Sequence, residues 1–489
     1  MMTHLEISAL LGLGPDALPS LEATGISEDS RSVRPGDIFV AITGEHADGH
    51  DFATDAVTAG AVAVMGDRSG IQSLEGRPYL FVERPREAEA LLAHALAGDP
   101  TQQLTVIGIT GTNGKTSTAM LTQSILREAG LATSNLGTMG YEIGGTLLPA
   151  PHTTPFGDEL ARLLAQSRDA GDTHVVMEVS SHALAQERVA GIHFSVAAFT
   201  NLTQDHLDYH ETMESYRNAK LKLFERISGD GTFTVINKAD PSGSVFESAS
   251  KVPTITYGPE GVLRVRDVVL GMADTRFTLA TPRGEVDIRI QLLGPHNIQN
   301  ALCAAAIAYG LHIDLPTIAA GLGRLPRVPG RFDGVDGGQD FFVVVDYAHT
   351  EDGLKNVLEA ARLLCKGRII TVFGCGGDRD RGKRPKMGKV TGELSDFCVL
   401  TSDNPRSEDP KRILLDVEVG LQKAGCHRGD EYITLENREE AIHHAIGLAK
   451  KGDLVLIAGK GHEDYQILGD QRIHFDDREV ALAALEARR

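Results

Sequence analysis

Short apolar segments alternate with segments of helical spacing along most of the chain, and many of the apolar segments end in glycine or polar residues. From residue 104 onward, "LTVIGI", "THVVMEV" and "VAAF" read as buried strands. From 331 onward the same scheme repeats with "FFVVVD", "RIITVF", "FCVL" and "DLVLIA". Strands that alternate with helices predict parallel, doubly wound sheets. In such sheets ligands bind beyond the carboxyl ends of the strands, so the polar clusters there mark a candidate site.

Breaks in this pattern predict where the domains begin and end. Strand and turn signals fill the first part of the chain, which closes with the helical stretch "REAEALLAHALAG" before a linker, "GDPTQQ". A second boundary is the Pro/Gly-rich stretch "RLPRVPGRFDGV". At 489 residues the chain exceeds what one core supports, and its length alone predicts two to four domains.

Composition narrows the class of protein. Hydrophobic residues make up 42% and charged residues 24%, as in soluble globular proteins, and no apolar run reaches transmembrane length. The N-terminus lacks a basic segment and a long apolar core, so we expect no secretory signal. Five scattered cysteines favour reduced thiols in a cytoplasm. A net charge of −19 argues against nucleic-acid binding but leaves room for an anionic small molecule in a locally basic cleft.

The stretch "GITGTNGKTST" has the character of a phosphate-binding loop with unusual spacing. The common pattern G-x-x-x-x-G-K-[ST] requires glycine five residues before Gly114, where this chain has Ile109. The loop still joins a strand to a helix, and backbone N–H groups at a helix N-terminus attract anions. Lys115 would contact terminal phosphates, and the Thr116 hydroxyl would suit Mg²⁺. An ordinary turn with a solvated lysine is the alternative.

Two further polar segments follow predicted strands. Glu178 ends the strand 175–179, where a carboxylate can bind Mg²⁺ together with Thr116, as in P-loop ATPases. The segment "NLTQDHLDYH" carries Asp205 and His206, but its spacing fits no zinc pattern. Hydrogen bonding around a nucleotide and its metal is the favoured interpretation.

Taken together, these motifs resemble the Mur ligase family over nearly the whole chain. The phosphate loop is followed, in that family's order, by "EVSSHAL", "TNLTQDHLDYH", "YRNAKLKLF", "LLGPHNIQNALCAAA", "VPGRFD", "VVDYAHT", "GCGGDRDRGKRPKMG", "SDNPRSEDP" and "AGKGHEDYQ". The N-terminal "EDSRSVRPGDIFVAITGEHADGHDF" resembles the family's UDP-sugar-binding domain.

The resemblance implies a three-domain α/β protein. The domains would be a UDP-N-acetylmuramoyl-binding domain at 1–98, a central doubly wound P-loop ATPase domain at 99–330, and a C-terminal Rossmann-like amino-acid-binding domain at 331–489. It also implies an ATP-dependent amide ligase that acts as a monomer and works through an acyl phosphate in cytoplasmic peptidoglycan precursor synthesis. ATP and Mg²⁺ would be required, with no nucleic acid and no membrane insertion.

The family's nucleotide and metal residues carry over position by position. Lys115, Lys220 and His206 would be catalytic, and Thr116, Glu178 and Lys220 would bind metal. Lys220 matches a carbamylated lysine, whose anionic oxygens suit a hard cation; by charge alone it would be an exposed helical lysine. The implied nucleotide contacts are Gly111, Thr112, Asn113, Gly114, Lys115, Thr116, Ser117, Asn297, Arg331, Asp346, Tyr347 and His349.

The resemblance also supplies residues for a nucleotide-sugar substrate, UDP-N-acetylmuramoyl-L-alanyl-D-glutamate. The chain departs from the family pattern at "HA" before "DG" and at His152 before "TTP", which affects individual contacts and not the function. The implied contacts are Ser30, His46, Thr153, Thr154, Ser180, Gln186 and Arg188.

The motif "DNPR" bears on which amino acid is added. Meso-2,6-diaminopimelate differs from lysine by a distal carboxylate, which the Arg406 guanidinium can bind through two parallel hydrogen bonds. In the family "DNPR" marks diaminopimelate adders, with Asp403 and Asn404 positioning that cation and binding the ammonium. The implied amino-acid contacts are Arg379, Asp403, Asn404, Pro405, Arg406, Gly459 and Glu463.

Other functions remain open at this point. A relative that adds another amino acid or a dipeptide, or a folylpolyglutamate synthetase, would share the ATPase motifs but not "DNPR", "GKGHE" and the N-terminal domain. A P-loop kinase or a nucleotide-binding regulatory protein would need neither Lys220 nor a third domain rich in polar strand ends.

Overall fold

The computed structural model describes residues 1–14, 20–44, 47–271 and 274–488. His46, a predicted substrate contact, lies outside them. The described chain divides into two compact units. The first unit comprises 1–111, 129–200 and 214–255, and the second comprises 112–128, 201–213 and 256–489.

The N-terminal part of the first unit is built on a five-stranded sheet with the order β3-β4-β5-β7-β6. All pairs are parallel except β6 with β7. Alternate residues of β4 and β5 face two different apolar clusters, one containing Ile38 and Met65 and the other Phe39 and Val64. The elements are β1 (Met2–Thr3), α1 (His4–Leu10), β2 (Glu22–Ala23), β3 (Gly25–Ser27), β4 (Asp37–Ala41), α2 (Ala53–Ala59), β5 (Ala63–Gly66), β6 (Ser73–Leu74), β7 (Arg77–Phe81) and α3 (Pro85–Leu96).

A larger eight-stranded sheet follows, with the order β11-β10-β9-β12-β8-β13-β14-β15. The strands β9, β12, β8, β13 and β14 run parallel, and a hairpin of β10 and β11 closes one edge. Its elements and the helices between them are β8 (Thr105–Thr110), α4 (Lys115–Glu128), β9 (Thr133–Gly137), β10 (Gly140–Ile143), β11 (Thr146–Leu148), α5 (Gly157–Asp169), β12 (His174–Glu178), α6 (Ser181–Ala185), β13 (Phe194–Phe199), α7 (Leu207–His210), α8 (Met213–Arg226), β14 (Phe233–Asn237), α9 (Gly243–Ala249) and β15 (Thr254–Tyr257).

Residues 264–290 depart from the predicted alternation of strands and helices. They form a three-stranded antiparallel sheet of β16 (Arg264–Leu270), β17 (Thr275–Thr281) and β18 (Gly284–Ile290). Phe277 and Leu279 of β17 are buried while Arg276 is exposed, which is the alternation of a sheet with one wet face. The connection from β17 to β18 is too short for the helix that a parallel crossover needs. Two helices, α10 (Pro295–Gly310) and α11 (Leu315–Arg324), then pack against α4.

The C-terminal part of the second unit is a six-stranded sheet with the order β19-β20-β24-β21-β22-β23. Apolar clusters cover both of its faces, as a parallel sheet requires. Its elements are β19 (Asp333–Gly334), β20 (Phe342–Asp346), α12 (Glu351–Leu364), β21 (Ile369–Phe373), α13 (Lys383–Leu394), β22 (Phe397–Leu400), α14 (Pro410–Lys423), β23 (Tyr432–Thr434), α15 (Arg438–Leu448), β24 (Leu454–Ala458), β25 (Tyr465–Leu468), β26 (Gln471–His474) and α16 (Asp477–Ala487).

The predicted α/β class with parallel sheets is confirmed. The four strands predicted after residue 331 are β20, β21, β22 and β24, and they pair side by side in parallel. The strands predicted at 104–109 and 175–179 exist with bounds shifted by one residue, as β8 and β12. All five cysteines are buried and outside disulfides, as packing residues are. No helix in the described ranges is both long and apolar enough to cross a membrane.

Candidate active site

The phosphate loop is held by reciprocal hydrogen bonds to the segment that follows β13. The Thr112 N–H donates to the Asn201 carbonyl at 2.8 Å, and the Asn113 N–H donates to Asn201 Oδ1 at 2.9 Å. In return, Asn201 Nδ2 donates to the Asn113 carbonyl at 3.0 Å. The Thr112 hydroxyl donates to the Thr203 carbonyl at 3.1 Å and accepts from the Thr203 N–H at 3.0 Å. The segment "TNLT" therefore fixes the shape of the loop.

Gly114 must be glycine for two reasons. Its φ of +84° is in the left-handed region, and a Cβ there would lie 2.3 Å from Asn300 Oδ1. Asn300 Nδ2 donates to Asn297 Oδ1 at 3.0 Å, and the buried Asn297 donates to the Leu293 carbonyl at 2.7 Å. Sequence reasoning named Asn297 but missed Asn300, although a spacing of three places both on one face of α10.

The loop leads directly into α4, whose first residue is Lys115. The Lys115 ammonium donates to the Thr112 carbonyl at 2.8 Å, so it folds back over the loop. Thr116 and Ser117 are buried in the first turn of the helix. A helix of this length presents positive partial charge and N–H donors at its N-terminus. The loop, helix and lysine together form an arrangement suited to a polyphosphate.

Lys220 lies on α8 in the first unit and is 1% exposed. Its Nζ donates to the Gly111 carbonyl at 2.9 Å and lies 4.5 Å from the centre of the Tyr216 ring. The interpretation as an exposed helical lysine is therefore wrong. The side chain reaches the backbone of Gly111 in the phosphate loop, and its role as a carbamylated metal ligand stays a prediction.

Five of the residues predicted to bind the nucleotide sugar or metal form one network in the first unit. The Thr154 hydroxyl donates to the Glu178 carbonyl at 2.8 Å and accepts from the Ser180 N–H at 3.0 Å. Arg188 donates to the Thr154 carbonyl at 2.9 Å and, through Nε and Nη2, to Gln186 Oε1 at 2.9 and 2.7 Å. Residues distant in sequence therefore meet where β12 ends.

Thr138, which sequence reasoning missed, extends this network. Its N–H donates to Glu178 Oε1 at 2.8 Å, and its hydroxyl lies 3.2 Å from Glu178 Oε2 and 3.1 Å from the Thr153 hydroxyl. Glu178 is buried, and Thr138 supplies hydrogen bonds to both of its carboxylate oxygens. Ser30 is half-buried in the turn after β3.

In the second unit, the residues predicted to contact the nucleotide from the C-terminal domain surround Tyr347. Asp346 accepts from the N–H groups of Phe332 at 2.7 Å and Ala348 at 2.8 Å, which fixes the loop after β20. The Arg331 guanidinium lies 4.7 Å from the centre of the Tyr347 ring, and the ring centres of Tyr347 and His349 are 4.6 Å apart. Arg331 Nε is buried and has no hydrogen-bond partner among the described residues.

A cavity of about 780 Å³ in the second unit collects most of the predicted amino-acid contacts. It lies at the carboxyl ends of β20, β21, β22 and β24, where ligands bind in open α/β sheets. His206 and Asp205 also line the cavity, and His206 Nε2 lies 3.4 Å from Asp205 Oδ2. Pro405 is in the same loop but does not line the cavity. The predicted residues that do are His206, Tyr347, His349, Arg379, Asp403, Asn404, Arg406, Gly459 and Glu463.

Arg406 is held in an uncommon backbone conformation. Its φ is +52°, and its N–H donates to the Ile467 carbonyl at 3.2 Å. Nη1 donates to the Gly377 carbonyl at 2.8 Å, which anchors one side of the guanidinium. Five N–H donors make up the fork of an arginine, so others remain for a ligand. The chain therefore places a partly anchored guanidinium at the wall of the cavity.

Two buried arginines that sequence reasoning missed join the loops around the cavity. Arg438 and Asp477 form a fully buried ion pair at 2.7 Å, and Arg438 also donates to the Ala458 carbonyl at 3.0 Å. Arg384, 1% exposed, pairs with Glu408 at 2.7 Å, and this holds the pKa of Glu408 down at about 2. Arg438 lies outside the quoted motifs. Arg384 and Glu408 lie in two of them, but the sequence does not show that the two residues pair.

Family models match three successive parts of the chain. These are "Mur ligase family, catalytic domain" at 22–97, "Mur ligase middle domain" at 109–308 and "Mur ligase, glutamate ligase domain" at 330–461. The chain therefore belongs to the Mur ligase family, and the predicted three-domain architecture is confirmed. The finer boundaries at 98 and 330 stay predictions.

Within that family, curated relatives define a more particular type. UDP-N-acetylmuramoyl-L-alanyl-D-glutamate–2,6-diaminopimelate ligase from Solibacter usitatus is 47% identical over 97% of this chain and 95% of that protein. The protein of the same name from Geobacillus thermodenitrificans is 46% identical over 96% of both. A solved structure of a ligase with this name is 31% identical, with a TM-score of 0.70 over 99% of both chains. MurF ligase from Thermotoga maritima in complex with ADP, 19% identical, shares the fold with a TM-score of 0.64 over 95% of this chain and 98% of that chain.

Proposed function

We propose that this chain is an ATP-dependent ligase that adds meso-2,6-diaminopimelate to UDP-N-acetylmuramoyl-L-alanyl-D-glutamate. The observation that carries the proposal is the cavity of the second unit, which is lined by Arg379 and Arg406 as well as by Asp403 and Glu463. Diaminopimelate has a carboxylate and an ammonium at each end. A site with both guanidinium and carboxylate groups complements such a ligand. The curated relatives of this type support the same substrate.

The chemistry requires an activated carboxylate. A carboxylate does not react with an amine at neutral pH until it has a leaving group, and phosphoryl transfer from ATP supplies one as an acyl phosphate. The amine then attacks the acyl carbon, phosphate leaves, and an amide bond forms. Lys115 and the N–H groups of the loop would hold the phosphates and stabilise the charge that develops in transfer.

Mg²⁺ is the metal that such a transfer requires, and the chain's donors fit it. Oxygen ligands suit a hard cation, and the proposed ligands are the Thr116 hydroxyl, the Glu178 carboxylate and a carbamylated Lys220. The burial of Glu178 and Lys220 and their positions at the end of β12 and beside Gly111 support this assignment.

The nucleotide sugar would be held by the network of the first unit. Thr154, Ser180 and Arg188 are already connected there, with Thr153 alongside. Ser30 and His46 would supply contacts from the N-terminal domain. We further propose that the enzyme works as a monomer in cytoplasmic peptidoglycan precursor synthesis, without nucleic acid or membrane insertion.

Product formation over a panel of amino acids tests the proposal. ADP release should require both the UDP-muramoyl dipeptide and an amino acid, with meso-diaminopimelate strongly preferred over lysine and glutamate. ADP release that ignores the amino acid would point to a kinase or another nucleotide-binding protein. A preference for glutamate with a folate acceptor would point to a folylpolyglutamate synthetase.

Arg406→Ala should damage the use of meso-diaminopimelate far more than the binding of ATP or the UDP-sugar. Removing a charge-assisted contact with two parallel hydrogen bonds costs on the order of 2–4 kcal/mol. That corresponds to roughly a 30- to 1,000-fold fall in kcat/KM for this amino acid. Lysine lacks the distal carboxylate, so its kcat/KM should change little.

Two variants sharpen this comparison. Arg406→Lys keeps the charge but loses the planar fork, so it should recover only part of the activity. Arg412→Ala removes an exposed arginine of α14 and should leave both amino acids unaffected. If Arg406→Ala reduces kcat/KM for lysine and diaminopimelate equally, Arg406 is structural, and the assignment of the amino acid loses its main support.

A further inference from the structure

A fully buried lysine lies beside the amino-acid cavity without lining it. Lys460 follows β24, and none of its surface is exposed. Its Nζ lies 3.3 Å from Asn404 Oδ1 and 3.4 Å from Glu463 Oε2, with the centre of the Tyr465 ring 5.3 Å away. Buried lysines are rare unless they are paired. The partners of this one are two of the residues that line the cavity.

The contacts of Asn404 fix its amide group in one orientation. Oδ1 accepts from the Ile467 N–H at 2.9 Å as well as from Lys460, and both of these groups are only donors. Nδ2 donates to Glu463 Oε2 at 2.9 Å, and a carboxylate only accepts. Turning the amide over would place donors against donors and an oxygen against a carboxylate.

This orientation determines what Asn404 offers to a ligand. Its oxygen already accepts two hydrogen bonds, and one of its two N–H groups is used by Glu463. The remaining N–H is a donor, which suits a carboxylate oxygen and not an ammonium group. The family resemblance implies that Asp403 and Asn404 together position the Arg406 cation and bind the ammonium; a donor on Asn404 leaves the carboxylates of Asp403 and Glu463 as the acceptors for that ammonium.

We propose that Lys460 is a positioning residue for amino-acid recognition. Its ammonium locks the Asn404 amide so that an N–H faces the substrate carboxylate, and it keeps Glu463 charged as an acceptor for the substrate ammonium. The inference rests on the proposed function, because it takes the occupant of the cavity to be an amino acid.

The electrostatics of Glu463 agree with this role. Burial raises the pKa of Glu463, the Asp403 carboxylate raises it further, and Lys460 and the Asn404 hydrogen bond oppose the rise. Arg438, Tyr347 and Tyr465 also interact electrostatically with Glu463. Without the lysine, Glu463 keeps its proton to higher pH, and its protonated form is a poorer acceptor for the substrate ammonium. Recognition is then lost earlier as the pH falls.

Lys460→Met keeps the length of the side chain and removes its charge. We expect kcat/KM for meso-diaminopimelate to fall roughly 10- to 100-fold, mainly through KM, because a buried acceptor loses its donor. KM for ATP and for the UDP-muramoyl dipeptide should stay within about twofold, because Asn404, Glu463 and Tyr465, which the Lys460 ammonium contacts, are assigned to neither. The acid limb of the pH profile of kcat/KM for diaminopimelate should move to higher pH. The matched control is Lys451→Met, an exposed lysine nine residues earlier, which should change none of these.

The second variant, Lys460→Arg, retains a cation. Its acid limb should stay near the wild-type position even if the larger side chain raises KM. In a Glu463→Gln background, Lys460→Met should no longer shift the acid limb. An unchanged acid limb in Lys460→Met would show that the lysine only supports the fold. So would a reduced kcat together with an equal fall in kcat/KM for diaminopimelate, ATP and the UDP-muramoyl dipeptide. If Lys460→Met does not fold, the test is the acid limb of Lys460→Arg compared with that of the wild type. A shift of this limb to higher pH overturns the proposal.

Failure of the proposed function gives a different result. Wild-type enzyme that ligates another amino acid would disprove the diaminopimelate assignment, and the same comparison of variant with wild type would then be made with that amino acid.

Discussion

Lys220→Ala is expected to be nearly inactive in ligation, with kcat reduced by a factor on the order of 10³. The lysine is buried beside the Gly111 carbonyl, and its proposed carbamate would supply anionic oxygens to Mg²⁺. Alanine leaves space where those oxygens would lie, so short carboxylic acids such as acetate should partly restore turnover. The measurement is kcat as a function of added acid at constant ionic strength.

Lys222→Ala is the matched control on the same helix. Lys222 is about one-third exposed and pairs with Glu187 at 2.6 Å, a carboxylate that Arg84 and Arg226 also contact. Because Glu187 keeps two cations without it, the loss of Lys222 should be mild. A severe Lys222→Ala defect beside a mild Lys220→Ala defect would mean that the wrong lysine has been assigned. Equal rescue of both variants by acids would exclude a site-specific carbamate.

Lys115→Ala should abolish ATP-dependent ligation, with a loss of roughly 10³- to 10⁵-fold, while the fold stays intact. The ammonium folds over the phosphate loop, where it would neutralise charge on the transferring phosphoryl group. Turnover at saturating ATP and the thermal unfolding midpoint should be measured together. Arg127→Ala, an exposed position near the other end of α4, is the control and should keep normal turnover. Near-normal turnover of Lys115→Ala would remove the phosphate-loop assignment.

The fold was largely predictable because strands buried on both faces leave a strong pattern. Four apolar runs after residue 331 became β20, β21, β22 and β24, and the polar residues after them meet at one edge of the sheet. The antiparallel sheet at 264–290 was missed, since a strand with one exposed face gives a weaker signal. The sequence "TRFTLAT" carries this alternation of apolar and polar residues, but only over the length of one short strand.

The candidate site was only partly predictable, because a motif names a residue and not its partners. Thr138 and Asn300 lie in turns or helices far in sequence from Glu178 and Gly114, and only the folded chain brings each pair together. The same holds for Lys460, which sits inside a recognised motif yet is entirely buried. The charge of Lys220 predicts an exposed side chain, but the lysine is buried, because burial depends on which elements pack over it.

The bonds between the phosphate loop and Asn201 and Thr203 have a consequence for how tightly a nucleotide is held. They join protein to protein, so the loop's shape does not depend on a ligand to impose it. Ordering a flexible backbone would cost about 1–2 kcal/mol per residue. A preformed cradle avoids most of that loss, so more of the contact energy with the polyphosphate can appear as affinity. A substitution of Asn201 that removes these hydrogen bonds would therefore weaken nucleotide binding by making the loop flexible in the free protein. The loss would be entropic, because no contact to the nucleotide itself is removed.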